Sequence, residues 1–380
     1  MIATELAVSG TDAAAQLPTQ YGTDLAVMQN ADLGNGYKLS VKHYNYEGTS
    51  GPDPSIGSSD VTAAAADPTI MAIMGPFNSG VAKVEIPIIT QAGLVEISPA
   101  NTNPGLTLSQ YAADNGIVFS NLHPAGIPEY YFRIPGNDVV QGKVDAQVAA
   151  GAPVNAKSCY VVDDDTTYGK GLAKYFTSTF TGNGGTVAGT ASITAAQIAS
   201  LPSLAATIKN KNPDCVFYGG VTSGGGGALK KDLVSAGYTA PMVGGDGIAD
   251  DPGFVTAAGA AAANTYGSVA APDNSQFTSG PAAAFVTAYK AAFPGKDLLP
   301  YSAMAYDATM IEIKAIKNLI AAGQPVTRKA IRDQIASISY TGVTGTISFD
   351  ANGDNAGTKV FSIYGVDSTG MWTFKQQINA

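Results

Sequence analysis

The sequence predicts an α/β protein built as two doubly wound lobes. Three observations carry this. Short apolar runs alternate with helix-length segments, which is the pattern of parallel βαβ units. The pattern is written twice, with a break near residues 133–138. One stretch, Ile73–Thr102 (IMGPFNSGVAKVEIPIITQAGLVEISPANT), holds a complete strand–turn–helix–strand–turn unit.

In chain order, residues 3–9 read as a first strand, followed by a turn over Gly10–Pro18 and a helix over 19–33. Lys38–Tyr46 alternates as a strand does, with Leu39, Val41 and His43 on one face. Ser55–Ala66 is an Ala-rich helix stopped at Asp67-Pro68. Ile70–Met74 and Leu94–Ile97 are strands flanking a helix over 79–92, in which Pro87 predicts a bend. Residues 103–130, rich in Asn, Gly and Pro, read as an irregular excursion, and Tyr130–Asp138 as a connecting strand and turn.

The second series runs helix Asp138–Ala150, strand Ser158–Asp163, helix Gly171–Phe180, strand Thr186–Ile193, helix Leu201–Lys211, strand Asp214–Tyr218, helix Ala228–Ala236 and strand Met242–Gly245. Beyond Asn264 the order changes. A short strand, Tyr266–Ala271, precedes helices over 279–293, 302–322 and 327–337. Thr346–Phe349, Lys359–Tyr364 and Met371–Lys375 then read as antiparallel strands.

Composition narrows the function. The chain has 380 residues, of which 45% are apolar and only 13% charged, with a formal net charge of −9. Two cores are affordable at that length, and disorder is disfavoured. With no basic cluster, nucleic acid is not an expected partner. No stretch reaches the roughly 20 apolar residues of a membrane span. MIATELAVSG has neither a basic start nor a long apolar centre, so no signal segment is read in it; an exported chain read from beyond its processing site looks the same. The two cysteines, Cys159 and Cys215, each open an apolar run. They read as buried free thiols or as a disulfide between neighbouring strands. With His43 and His123 the only histidines, a zinc site has little support, and no metal or cofactor is expected.

Most enzyme signatures are missing. Gly224–Gly227 sits between a strand and a helix but lacks both nucleotide-binding fingerprints. Asp350-Ala-Asn-Gly-Asp354 resembles a calcium loop only in part and reads as a hairpin turn. There is no Gly-x-Ser-x-Gly elbow, and no pair of acids stands out for glycoside chemistry. Two turns are more informative, because both follow predicted parallel strands, where open α/β sheets bind ligands. The turn Gly75–Gly80 also opens a helix, whose free N–H groups favour an anion, and Asn78 and Ser79 add side-chain donors. The turn 98–102 completes what reads as a carboxylate cradle. In Gly244-Gly245-Asp246-Gly247, Asp246 follows a strand with little cover. It reads either as a turn or capping acid or as the counter-charge to a ligand cation.

Ile97-Ser-Pro-Ala-Asn-Thr-Asn-Pro-x-Leu-Thr107 resembles a segment of the branched-chain amino-acid-binding proteins, the type I periplasmic receptors of ABC importers. Gln20-Tyr21-Gly22, Tyr168-Gly169-x-Gly171-Leu172-Ala173, Val216–Gly220 and Gly244–Gly247 fall in the family's order, so the resemblance covers about residues 5–376. It implies two Rossmann-like lobes joined by a three-strand hinge, with crossovers near 132–137, 267–273 and 342–347. One lobe would comprise 1–133 and 272–343, the other 134–271 and 344–380. The ligand would sit in the cleft as the lobes close.

By position, the resemblance implies that Ser79, Thr102 and the backbone of Ala100 hold a ligand α-carboxylate, and that Asp246 pairs with the α-ammonium. Tyr168 would close over the ligand, Asn78 and Val221 would lie beside it, and Tyr21 and Tyr301 would line its side-chain end. The chain departs from the family in having Asp rather than Glu at 246 and Val221 in place of an aromatic. It also has longer loops at 10–18 and 103–130, and lacks the usual early disulfide. The implied function is a non-enzymatic, monomeric, periplasmic or extracellular receptor, lipid-anchored in some relatives. It would deliver an aliphatic or aromatic amino acid to an ABC permease; the alternative ligand is an amide, urea or aromatic acid.

Overall fold

The structure, a computed structural model, describes residues 1–380. The chain divides into two compact units, Met1–Pro135 with Ala271–Lys359 and Gly136–Ala270 with Val360–Ala380. Each is built around its own sheet.

The first unit has a five-stranded parallel sheet in the order Val41–Asn45, Ile2–Leu6, Ala72–Met74, Val95–Ser98, Tyr131–Arg133. Register runs straight across it, with Thr4 opposite Met74, Met74 opposite Ile97, and Ile97 opposite Phe132. The three central strands are buried along their whole length, as a parallel sheet covered on both faces requires. Helices Pro54–Ala66 and Ser79–Ala92 cover one face, burying Val61, Ala82, Ile86 and Ile89 against Ala3 and Ile73. Gly93, at φ 63°, ends the second helix in the left-handed conformation that glycine adopts most readily.

Helix Pro300–Ala321 lies against helix Ala13–Gln29. Thr309 donates to Thr23 at 3.0 Å, and a Cβ on Gly22 would collide with the Ser302 carbonyl. Helix Ala13–Gln29 starts well before the expected 19–33. The helix runs through Pro18, whose usual interior cost is about 3 kcal/mol. Burial of Thr19, Thr23, Leu25 and Ala26 outweighs it.

The second unit has seven strands in the order Thr186–Ser192, Ser158–Asp163, Cys215–Gly219, Met242–Gly244, Thr265–Val269, Val360–Val366, Trp372–Asn379. The first five are parallel and the last two antiparallel. One face packs Val216, Tyr218, Leu229, Leu233 and Phe254; the other packs Val161, Phe176, Phe180 and Phe217. Cys159 and Cys215 are register partners on adjacent strands and form a disulfide, so the free-thiol reading is corrected. Parallel pairing brings their Cα atoms to 4.6 Å, a separation the sequence does not reveal.

Three further expectations are revised. Residues 344–359, expected in the second lobe, belong to the first. There Asp307 accepts from the backbone of Val343 (2.9 Å) and Thr344 (2.8 Å), and Thr346–Ser348 pairs with Ser339–Thr341 rather than with the last two strands. Helix Pro252–Ala258, capped by Asp251, had no counterpart in the periodicity. The excursion 103–130 contains short helical turns and buries Leu106, Ala112, Ile117 and Leu122 in the first core.

Candidate functional site

Each unit carries candidate site residues of its own, at the carboxyl ends of its parallel strands.

In the first unit, strand Ala72–Met74 runs through a cis Gly75–Pro76 bond into helix Ser79–Ala92, and strand Val95–Ser98 runs into 99–103. Ser98 ties the two turns together. Its hydroxyl donates to the Pro76 carbonyl at 2.7 Å and accepts the N–H groups of Ala100 (3.3 Å) and Asn101 (2.9 Å). Asn101, fully buried, completes the frame, donating to the Phe77 carbonyl at 2.7 Å and accepting from Tyr131 at 2.6 Å. Ser79 begins the helix and accepts the Asn103 N–H at 3.4 Å. Beside it, the Thr102 hydroxyl is buried with no hydrogen-bond partner. A buried hydroxyl in that state costs free energy unless something else satisfies it.

Asn78, read from sequence as a donor to ligand, is held by its carbonyl oxygen, which accepts from Gln16 (2.8 Å) and Tyr46 (2.9 Å). Tyr21 stacks on Phe293 with ring centroids 4.7 Å apart. Tyr301 meets Phe77, next to the cradle, edge-on at 5.1 Å. The cradle is braced from below by Arg133, which is 0% exposed. It donates to the Asn103 carbonyl (2.6 Å) and Thr107 (2.7 Å) and pairs with Asp354 at 2.7 Å. Burial alone would raise the Asp354 carboxyl, but the guanidinium outweighs it and holds the group below its ordinary range. Asp354 thus serves an ion pair, and among the described residues no group of His, Cys, Asp or Glu is arranged to hold a metal.

In the second unit, Tyr168 and Asp246 come together. The Tyr168 hydroxyl donates to an Asp246 carboxyl oxygen at 2.7 Å and accepts the Gly247 N–H at 3.1 Å. Burial, then the charges of Asp246 and Asp138, push the Tyr168 hydroxyl far above its ordinary pKa, so it stays a donor. Both residues are buried, and Gly245 leaves them room: a Cβ there would sit 2.7 Å from the Tyr168 oxygen.

Val221 is set by Asp164, whose carboxylate accepts its N–H at 2.8 Å and the Thr166 N–H at 3.1 Å. Burial raises Asp164 to about 6 against these bonds. Gly220 also packs on this acid, where a Cβ would lie 2.6 Å from its Cγ. Asp164 organises the turn that carries Val221, and sequence reasoning recognised it only as part of an acidic run. Its signal was Asp164-x-Thr166 opening a helix, a side-chain-to-backbone turn. Gln16, Tyr46 and Asn101 gave no comparable signal, because most of their partners lie 24 to 62 positions away.

The chemistry is therefore divided. Uncharged donors and an unsatisfied hydroxyl surround a helix start in one unit, while a hydroxyl-braced carboxylate stands in the other.

Known proteins share this architecture. The chain is 26% identical over 352 residues to the Leu/Ile/Val-binding protein homolog 1 of Brucella abortus (strain 2308), covering 91% of this chain and 85% of that protein. It superposes on the branched-chain amino acid transporter substrate-binding protein LivJ of Streptococcus pneumoniae, solved with isoleucine, at a TM-score of 0.80 and 25% identity, covering 100% and 98% of the two chains. A solute-binding protein from R. palustris, solved with benzoate, superposes at a TM-score of 0.74 and 21% identity, with 99% and 95% covered, and shares the fold. The family described as periplasmic binding protein matches residues 2–371, nearly the whole chain, and this protein belongs to that family of extracytoplasmic solute receptors.

Proposed function

We propose that the protein captures an amino acid for an ABC importer, with an aliphatic or aromatic side chain on the ligand. Ser79, Thr102 and the Ala100 backbone receive the α-carboxylate, and Asp246 receives the α-ammonium. The observation that carries this reading is the buried, partnerless Thr102 hydroxyl, one residue before Asn103, whose N–H meets Ser79 at the start of helix Ser79–Ala92. An anion placed there gains a hydrogen bond and the positive end of the helix dipole. The names of the relatives, Leu/Ile/Val-binding proteins, and the isoleucine bound to LivJ agree with it. Neither half satisfies both ends of a zwitterion, so a ligand that touches both favours the closed state by differential contact. The work is binding and release, with no bond made or broken, and the permease and a monomeric state complete the proposal.

The second reading, an aromatic acid, is suggested by the benzoate-bound neighbour. It is disfavoured by Asp246, because a ligand without a cation would desolvate that carboxylate uncompensated. A thermal-shift screen of leucine, isoleucine, valine, phenylalanine and benzoate separates the two, since a ligand selective for the folded state raises the melting temperature. Stabilisation by benzoate and by no amino acid would overturn the amino-acid reading.

A further inference from the structure

Three glutamates lie in the core of the first unit, directly behind the cradle. Ala3 and Glu96 are both register partners of Ile73 and so share its sheet face; Glu5, two residues beyond Ala3, shares it too. Helix Ser79–Ala92 covers this face and contributes Glu85, against which Gly57 of the neighbouring helix packs; a Cβ at Gly57 would lie 2.7 Å from a Glu85 carboxyl oxygen. Glu5, Glu85 and Glu96 are at most 1% exposed, and none of their six carboxyl oxygens meets a hydrogen-bond donor. Glu85 and Glu96 are near enough to shift each other's protonation.

The surrounding elements bring acids and phenols: Asp60 from helix Pro54–Ala66, Tyr44 and Tyr46 at and after the edge strand, Tyr131 from the last strand, and Glu312 from helix Pro300–Ala321. The cations on this face are Lys42, turned to Asp67 at 3.7 Å, and Arg133, paired with Asp354. Three buried carboxylates with neither a donor nor, among the described residues, a metal-holding geometry around them would carry an uncompensated desolvation cost, which protonation removes.

We propose that Glu5, Glu85 and Glu96 form a proton-binding site that sets the ligand affinity of the cradle. Filled, it lets helix Ser79–Ala92 seat on strand Val95–Ser98; emptied, it drives the two apart and places negative charge behind the carboxylate site. The two elements carrying Glu85 and Glu96 are the helix that begins at Ser79 and the strand that leads into Thr102. Burial, then Glu85 and Asp60, pushes Glu5 up to about 11; burial, with a contribution from Asp60, pushes Glu85 to about 8; burial and then Glu85 push Glu96 far up. Between the ordinary glutamate value and these raised values the folded state binds more protons than the unfolded one, so stability falls as pH rises through that window. The effect on affinity rests on the amino-acid reading above, but the proton site itself does not.

The test follows ligand-free melting, backbone hydrogen exchange and L-leucine binding from pH 6 to pH 9. The wild type should lose about 5 °C or more in Tm. Intrinsic-rate-corrected exchange of residues 79–82 and 98–103 should rise roughly tenfold, and the leucine Kd should weaken by a similar factor. Glu85→Gln keeps the shape without the titrating proton; it should at least halve the changes in exchange and Kd and reduce the fall in Tm. A wild-type Tm and exchange profile that stay flat overturn the proposal, whether or not leucine binds. Sloping profiles with no leucine binding at pH 6 uphold the proton site and defeat the amino-acid reading. If the variant does not fold, wild-type glutamate carboxyl 13C shifts decide: three carboxyls still protonated at pH 6 uphold the site, and complete ionisation overturns it.

Discussion

Replacing Asp354 by alanine would leave the Arg133 guanidinium in the interior with its charge uncompensated. Arg133 is 0% exposed, and the Asp354 side chain retains 15% exposure. Two of the guanidinium's hydrogen bonds go to that carboxylate, at 2.7 and 3.2 Å, and two more hold the Asn103 carbonyl and Thr107. Removing one partner of a buried pair costs about 3–5 kcal/mol, because the remaining charge keeps its desolvation penalty without its attraction. Against a total of roughly 5–15 kcal/mol, that is a large share. Urea unfolding at pH 7, followed by a probe in the first unit, should show the loss as a lower midpoint at unchanged slope.

The same pair predicts an acid limb. Because the Asp354 carboxyl sits below its ordinary value, its contribution is present above about pH 4 and disappears as pH falls through the lowered value. Replacing both partners by apolar residues, Arg133→Met with Asp354→Leu, should recover part of the loss. A single-variant loss under about 1 kcal/mol would refute the account and assign the bracing of the cradle to the Asn103 and Thr107 contacts alone.

Three further outcomes are expected. Asp246→Asn keeps an acceptor for the Tyr168 hydroxyl but removes the charge; it should weaken leucine binding tenfold or more in calorimetry, worth about 1.4 kcal/mol or above, with ligand-free Tm nearly unchanged. Unaltered affinity would remove Asp246 from the site. Thr102→Val deletes a partnerless buried hydroxyl, so the ligand-free protein should be as stable as wild type or more so, while affinity falls about tenfold; lower stability with intact binding would show that the hydroxyl is structural. Replacing both Cys159 and Cys215 by alanine opens a link spanning 56 positions and should cost the second unit about 4 kcal/mol in denaturant unfolding, whereas a change near zero would show that strand pairing alone suffices.

Elements with strong local periodicity were legible in the sequence. Asp138–Ala150 and Leu201–Lys211 fall where the apolar spacing puts them, and the Gly75–Ser79 turn announces itself by composition. The roles of Asn78 and Asp164 were not legible. Asn78 looks like any helix-opening amide until Gln16 and Tyr46 arrive from distant segments, and Asp164 is one of three consecutive acids until the fold buries it against Val221. Residues 344–359 read as strand and turn, but nothing local says which unit will receive them. That is decided by the Asp307 carboxylate and by Arg133, which pairs with Asp354.

The sequence by itself determined the class of fold, because strand and helix periods are local and the two turns lie at strand ends whatever surrounds them. Only tertiary structure decided which polar groups are spent inside the protein and which remain for a guest: Asn101 and the carbonyl oxygen of Asn78 are consumed by neighbours, and the Thr102 hydroxyl is left over. A side chain's type states what it can bond. Its partners come from other stretches of chain, and whether a bond is still open is a property of the packed whole.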